Sequence, residues 1–297
     1  MKVVIFGGCG FLGSWLVKKL LDHRIKTVIF DYKIKKNILN QITNFSEGYV
    51  EYVQGDIKNS EQVFNVSNKG DILINLVGLM TPECSKNPIA GNEVNVVGSI
   101  NVFQAAINQN NKFVIYTSSG GVFGSLDQKV PYPETHYGAF KLAVEGIARA
   151  YYLEKNLSTV GIRPFVIYGP HREIGGTAGI SLACKAVAKG IDYKIPFSGN
   201  AGFVYVDDVT EIILKLIKKK LFGANIINVN GISCNVSEIV KILTNINNEC
   251  KISIQKNNLP VVGEILGNTP NKYLKNFKYT SLSKGLSYTV NFYKTIL

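Results

Sequence analysis

Short apolar runs rich in Val and Ile recur through the first two thirds of the chain, at 2–6, 26–30, 49–53, 72–77, 112–117 and 158–167. Between them the apolar positions spread to a helical period, at 13–22, around 59–66, at 92–109 and at 136–155. A continuous apolar run reads as a strand buried on both faces, and strands separated by helices pair in parallel. The pattern predicts an α/β fold, a doubly wound parallel sheet with helices on either side. After Gly169 the rhythm changes. A loop with Pro170, Gly175, Gly176 and Gly179 leads to a helix near 178–189, the strand-like FVYV at 203–206, a helix at 207–220, a strand at 225–229 and two or three further elements. These pieces are too short and mixed to fold alone. They predict a small C-terminal α/β lobe over the carboxyl ends of the sheet: residues 1–169 form the main domain, 203–230 return to it, and 170–297 form mainly the lobe.

The first run, VVIF, empties into Gly7, Gly10 and Gly13, spaced G-x-x-G-x-x-G, before helical sequence resumes at Ser14. Glycines there let the backbone turn tightly and approach a pyrophosphate, while the next helix aims unpaired N–H groups at it. Between a strand and a helix at the start of a βαβ unit, the triplet marks a Rossmann-type dinucleotide site. Asp31 ends the second run, 18 residues after Gly13, where a carboxylate can accept both ribose hydroxyls and favour NAD over a 2′-phosphorylated cofactor. Lys33, Lys35 and Lys36 follow it closely. Asp56, in QGDI, could accept from the adenine amino group, although turn chemistry alone explains a Gly-Asp pair.

Composition narrows this little. The 297 residues are 46% hydrophobic and 18% charged, as in a globular protein. No run reaches the roughly 18 to 20 apolar residues of a membrane span, and no leader pattern opens the chain, so the expectation is a cytoplasmic protein. Five scattered cysteines and three histidines show no metal-ligand or redox spacing, so the cysteines read as small buried hydrophobes and no metal is expected. The net charge of +12 is spread along the chain without an aromatic-interleaved groove, which argues against nucleic acid and suits an anionic small molecule.

Candidate chemistry sits at HYGAFK. Tyr137 and Lys141, four apart on one helix, share a face; a nearby ammonium would draw the phenol pKa toward working pH and make it a proton shuttle. Alone, such a pair is commonplace. Upstream, at a strand end, YTSSGGVFG supplies Ser118 and Ser119, a hydroxyl able to bond the same substrate oxygen.

With these residues the chain resembles the extended short-chain dehydrogenase/reductase family, in its nucleotide-sugar epimerase/reductase branch, over nearly its whole length. GGCGFLG is similar to the family's glycine loop, LINLVG to its fourth-strand motif (with Asn75 and Val77 in place of the more usual His and Ala), and Asn95 in EVNVVGS to its helix Asn. SSGGVFG resembles S-S-x-x-V-Y-G, and RPFVIYGP and FVYVDDV resemble the landmarks bounding the substrate lobe. The resemblance implies Ser119, Tyr137 and Lys141 as catalytic residues, with Lys141 on the nicotinamide ribose. It implies NAD contacts at Gly7, Gly10, Phe11, Leu12, Gly13, Asp31, Asp56, Ile57, Leu76, Val77, Gly78, Asn95, Tyr137, Lys141 and Phe165. It also implies a nucleotide-sugar substrate and a homodimer through helices 92–109 and 136–155, the second of which carries Phe140, Leu142, Val144, Ile147, Tyr151, Tyr152 and Leu153.

Departures from the pattern shape the expected reaction. Related 4,6-dehydratases and decarboxylases carry acidic residues directly after the catalytic hydroxyl, where this chain has Gly120 and Gly121, and glycine can be neither acid nor base. Epimerisation at C4 through a 4-keto intermediate is the leading expectation, and NAD(P)H-dependent 4-keto reduction the near rival. A non-catalytic NAD(P)-sensing or nucleic-acid-binding protein on the same fold is the alternative from another class, and retention of Ser119, Tyr137 and Lys141 argues against it. Ala201 and Gly202 stand in a shortened loop where an arginine often precedes FVYVDDV, and Val166 replaces a frequent substrate-binding Asn. His171 and Arg172 are therefore candidates to meet substrate phosphate, alongside substrate contacts at Ser119, Tyr137 and Val166. Asp207 and Asp208 read as helix-capping residues.

Overall fold

The computed structural model describes residues 2–43, 48–125, 129–257, 259 and 263–297. Its strands are β1 (Lys2–Phe6), β2 (Lys26–Asp31), β3 (Val50–Gln54), β4 (Ile72–Asn75), β5 (Phe113–Thr117), β6 (Ser158–Pro164), β7 (Val166–Tyr168), β8 (Tyr193–Ile195), β9 (Asn200–Tyr205), β10 (Ala224–Val229), β11 (Ile232–Asn235) and β12 (Ile252–Ile254). Seven of them form one parallel sheet in the order β10-β6-β5-β4-β1-β2-β3. The chain winds outward from β1 in both directions, so β1 and β4 flank the switch point where such sheets bind ligands.

The alternation of Cβ directions explains why the central runs are apolar throughout. Val3 and Ile5 of β1 join one core cluster, with Leu16 and Leu20 of helix Phe11–Asp22 and Ile212 and Leu216 of helix Val206–Lys219. Val4 and Phe6 join the other, with Val63 of helix Ser60–Val66, Phe103 of helix Gly98–Asn108 and Val144 of helix His136–Lys155. These side chains are almost wholly buried, each contributing about 1.5–3 kcal/mol. All five cysteines are free and buried. No helix among the described residues is long and apolar enough to cross a membrane.

Several sequence expectations shift. The run 158–167 is two strands: β6 stays in the large sheet, while β7 pairs with β9 in a three-stranded sheet, order β11-β9-β7. Phe165, between them, gives its N–H to the Val229 carbonyl, and the chain crosses from one sheet to the other. The helical stretch 92–109 contains a π turn at Glu93–Val97 before the α-helix Gly98–Asn108. Helix Val206–Lys219 has Tyr205 at its N-cap with no side-chain capping bond, so Asp207 and Asp208 are not caps. Asp207 meets Lys19 at 2.8 Å, and Asp208 accepts from the Thr280 N–H and hydroxyl.

Candidate active site

The glycine loop is built by close approach. Gly7 has φ +85°, a conformation side chains rarely adopt, and a Cβ on Gly13 would lie 2.3 Å from the Gly7 carbonyl oxygen. Gly10 is the N-cap of helix Phe11–Asp22, with no side-chain cap and no acidic residue in the first turn, so that helix end stays available to an anion. Asp31 stands at the tip of β2, accepting the Cys9 N–H at 2.9 Å, and burial pushes its carboxyl up. Asp56 accepts the Lys58 N–H at 2.9 Å, the local turn its Gly-Asp setting suggested. A cleft of about 800 Å³ runs along these elements, lined by Gly7, Gly10, Phe11, Asp31, Asp56 and Ile57, with Leu76, Val77 and Gly78 behind them. An uncapped helix end, a backbone open to close approach and a carboxylate at the tip of β2 on one cleft fit NAD. Leu12, Gly13, Asn95, Tyr137 and Lys141 are not on its wall.

The second cluster is carried by helix His136–Lys155, whose N-cap Thr135 accepts the Gly138 N–H at 3.0 Å. A Cβ on Gly138 would lie 2.4 Å from the Gly121 carbonyl oxygen, so glycine at 138 lets the helix touch the loop after β5. That contact brings Ser119 to Tyr137. Ser119 Oγ accepts the Gly121 N–H at 3.0 Å and shares a cavity wall with the Tyr137 phenol. Lys141 is buried, and its Nζ donates to the Thr117 carbonyl at 2.9 Å.

The electrostatics differ from the expectation in one respect. Burial raises the Tyr137 phenol, opposed by the Ser119 hydrogen bond and the Arg172 charge rather than by Lys141. The reason is local: Lys141 points to Thr117, lies 5.7 Å from the Tyr137 ring centre, and is itself brought down to about 8 by burial.

A second cavity, of about 430 Å³, opens on Ser119 and Tyr137 and is walled mostly by apolar groups, among them Met80, Phe165, Phe197 and Leu259. Val166 and Arg172 line it as expected of them. Phe165 faces this cavity rather than the dinucleotide cleft, and His171 faces the cleft rather than the cavity. Arg172 lines both. The one acidic group on the cavity wall among the described residues, Glu134, is held below the usual carboxylate range by the Ser125 hydroxyl and N–H.

Sequence reasoning missed the support behind this cluster. Glu145, one helical turn beyond Lys141, accepts from Ser118 Oγ at 2.5 Å and grips Arg163 of β6 through Nε at 2.7 Å and Nη2 at 2.6 Å. The Arg163 guanidinium lies 4.8 Å from the Phe123 ring centre and reaches Asn228 of β10 at 3.4 Å. The available signal was spacing, since 137, 141 and 145 follow one helix face.

Comparison with known proteins bears on the family and the fold. Over 299 aligned residues the chain is 27% identical to CDP-paratose 2-epimerase of Salmonella typhi, covering 88% of each. It is 32% identical to Protein CapI of Staphylococcus aureus over 74% of this chain and 70% of that one. Its fold superposes on a UDP-glucose 4-epimerase of Thermus thermophilus, crystallised with NAD, with a TM-score of 0.84 at 20% identity and full coverage of both. The model of the NAD dependent epimerase/dehydratase family matches residues 3–230, and the chain belongs to that family.

Proposed function

We propose that this enzyme epimerises a nucleotide-diphosphate sugar at C4 through a 4-keto intermediate. The observation that carries the reading is that Ser119 and Tyr137 stand together on the wall of a cavity that adjoins the dinucleotide cleft, with Arg172 on the wall of both. When bound, NAD supplies hydride acceptance and return at the sugar carbon. The chain's own residues move the proton. Tyr137, its phenolate opposed by burial and favoured by Ser119 and the Arg172 charge, takes the C4 hydroxyl proton and gives it back, while Ser119 hydrogen-bonds the same oxygen and steadies its developing charge. Lys141 holds the nicotinamide ribose, anchored from behind by the Thr117 carbonyl.

Gly120 and Gly121 offer no group to remove a proton at C5, and Glu134, engaged by Ser125, is a poor proton donor, which disfavours dehydration. Residues 1–169 with 203–230 serve the cofactor and 170–297 mainly the sugar. The exposed Leu153 on helix His136–Lys155 is the apolar group that would meet a second copy of the chain.

The purified protein should interconvert one C4-epimeric pair from a panel of UDP-, dTDP-, GDP- and CDP-sugars without added reductant. Stoichiometric NAD(P)H consumption on a 4-keto sugar, with no interconversion, would make it the reductase instead.

A further inference from the structure

Arg172 is unlike the other cations of the chain. Its guanidinium lies where the dinucleotide cleft meets the substrate cavity and contributes to both walls. Its Nε is buried with no hydrogen-bond partner, its Nη2 reaches only Thr177 Oγ1 at 3.5 Å, and no carboxylate among the described residues pairs with it. The neighbouring Glu173 is taken by Lys185 at 2.8 Å and by the Tyr293 hydroxyl at 3.0 Å. A guanidinium withdrawn from water without a counter-ion is costly, so this one is placed for an anion that arrives from outside.

The backbone that aims it is fixed from two sides. His171 takes φ +69°, a left-handed conformation unfavourable for a side chain, and is held there by its N–H to the Tyr293 hydroxyl at 2.8 Å and by Phe292 against its ring at 5.2 Å. One residue earlier, Trp15 Nε1 donates to the Pro170 carbonyl at 3.1 Å. Trp15 belongs to helix Phe11–Asp22, the helix that opens at Gly10. Arg172 is thus referenced to the dinucleotide-binding helix itself, and its guanidinium carbon lies 5.9 Å from the ring centre of Phe11, the first residue of that helix.

We infer that Arg172 is the counter-charge to the pyrophosphate of the cofactor, delivered from the substrate side of the molecule. The sequence alone points Arg172 at a substrate phosphate; its neighbours Phe11 and Trp15 move it to the cofactor. A guanidinium fork can bond two oxygens of a diphosphate at once, and it adds a full positive charge to the partial charge of the uncapped helix end. Because the same side chain walls the substrate cavity, cofactor binding also orders that wall. The inference rests on NAD occupying the cleft and is independent of which sugar reaction follows.

Both cofactor and substrate carry a diphosphate, so the test separates them. The full-length protein, its Arg172→Gln form and its Arg172→Lys form are titrated calorimetrically with ADP, adenosine and UDP. Arg172→Gln should weaken ADP about tenfold or more, from the loss of charge-assisted hydrogen bonds, and leave adenosine and UDP unchanged. Arg172→Lys, which keeps the charge and loses the fork, should fall between. Unaltered adenosine binding shows that the variants are folded. Equal ADP affinity in wild type and Arg172→Gln, or a loss confined to UDP, would overturn the inference. None of these titrations requires turnover, so an inactive sugar panel leaves the result standing.

Discussion

Removing the Glu145 carboxylate tests whether the catalytic helix is held by the ion pair behind it. In the native fold both side chains are nearly excluded from solvent, at 9% exposure for Arg163 and 7% for Glu145, and two N–O contacts of 2.6–2.7 Å join them. Glu145→Ala leaves a guanidinium facing Phe123 and Asn228 with no negative partner, and the cost of one orphaned buried charge is about 3–5 kcal/mol. Arg163→Met strands the carboxylate and should cost a similar amount. The double variant Glu145→Leu/Arg163→Met removes both charges and should recover much of the loss, because an apolar pair of similar size is often neutral. Denaturant unfolding of wild type, the two singles and the double at pH 7 closes the cycle. The functional readout differs: Glu145 also accepts from Ser118, next to Ser119, so the double variant should fold and still lose kcat more than KM. Single-variant losses under about 1 kcal/mol, or a double variant with unchanged kcat, would refute this account.

Tyr137→Phe removes the proposed proton carrier and nothing that touches the dinucleotide cleft, so turnover should fall by about a thousandfold or more with NAD affinity retained; rate assays and NAD titration check both. Lys141→Met should inactivate the enzyme and raise its unfolding midpoint. The folded pKa of about 8 lies below the ordinary 10.5, so the folded state binds its proton more weakly than the unfolded chain does. The buried ammonium therefore costs about 3 kcal/mol below pH 8, and stability regained between pH 8 and 10.5 should vanish in the variant. Loss of the Lys141 bond to Thr117 trims that gain by about 1 kcal/mol, and melting curves at pH 7 and pH 10 read the difference. The proposed dimer predicts that the protein sediments as a dimer and that Leu153→Asp sediments as a monomer without altering the melt of the subunit.

Much of this architecture could be read directly from the chain. The apolar runs that became β1, β2 and β4 needed no context, because a strand buried on both faces is apolar at every position. Gly7 and Gly13 were legible because only backbone fits where they lie. The break at Phe165 was not, since β6 and β7 follow one another as strand-like sequence and only pairing with distant β10 and β9 divides them. Asp207 and Asp208 read as caps because their positions match one; their partners, Lys19 and Thr280, lie far away in sequence. Arg172 was the hardest. Its local sequence is that of a surface arginine, and its burial is set by Trp15 and Tyr293, 157 residues before it and 121 after it.

The bond from Tyr293 to the His171 backbone bears on how the protein is made. On a ribosome the glycine loop emerges before helix His136–Lys155, yet β10, the sheet's outermost strand beside β6, is contributed by residues 224–229. The turn that aims Arg172 must wait longer still, for helix Leu282–Ile296 to arrive and latch it. A nascent chain could therefore bind the adenosine end of a cofactor before it can grip the whole. Firm capture of NAD would follow the docking of helix Leu282–Ile296 rather than the folding of the glycine loop.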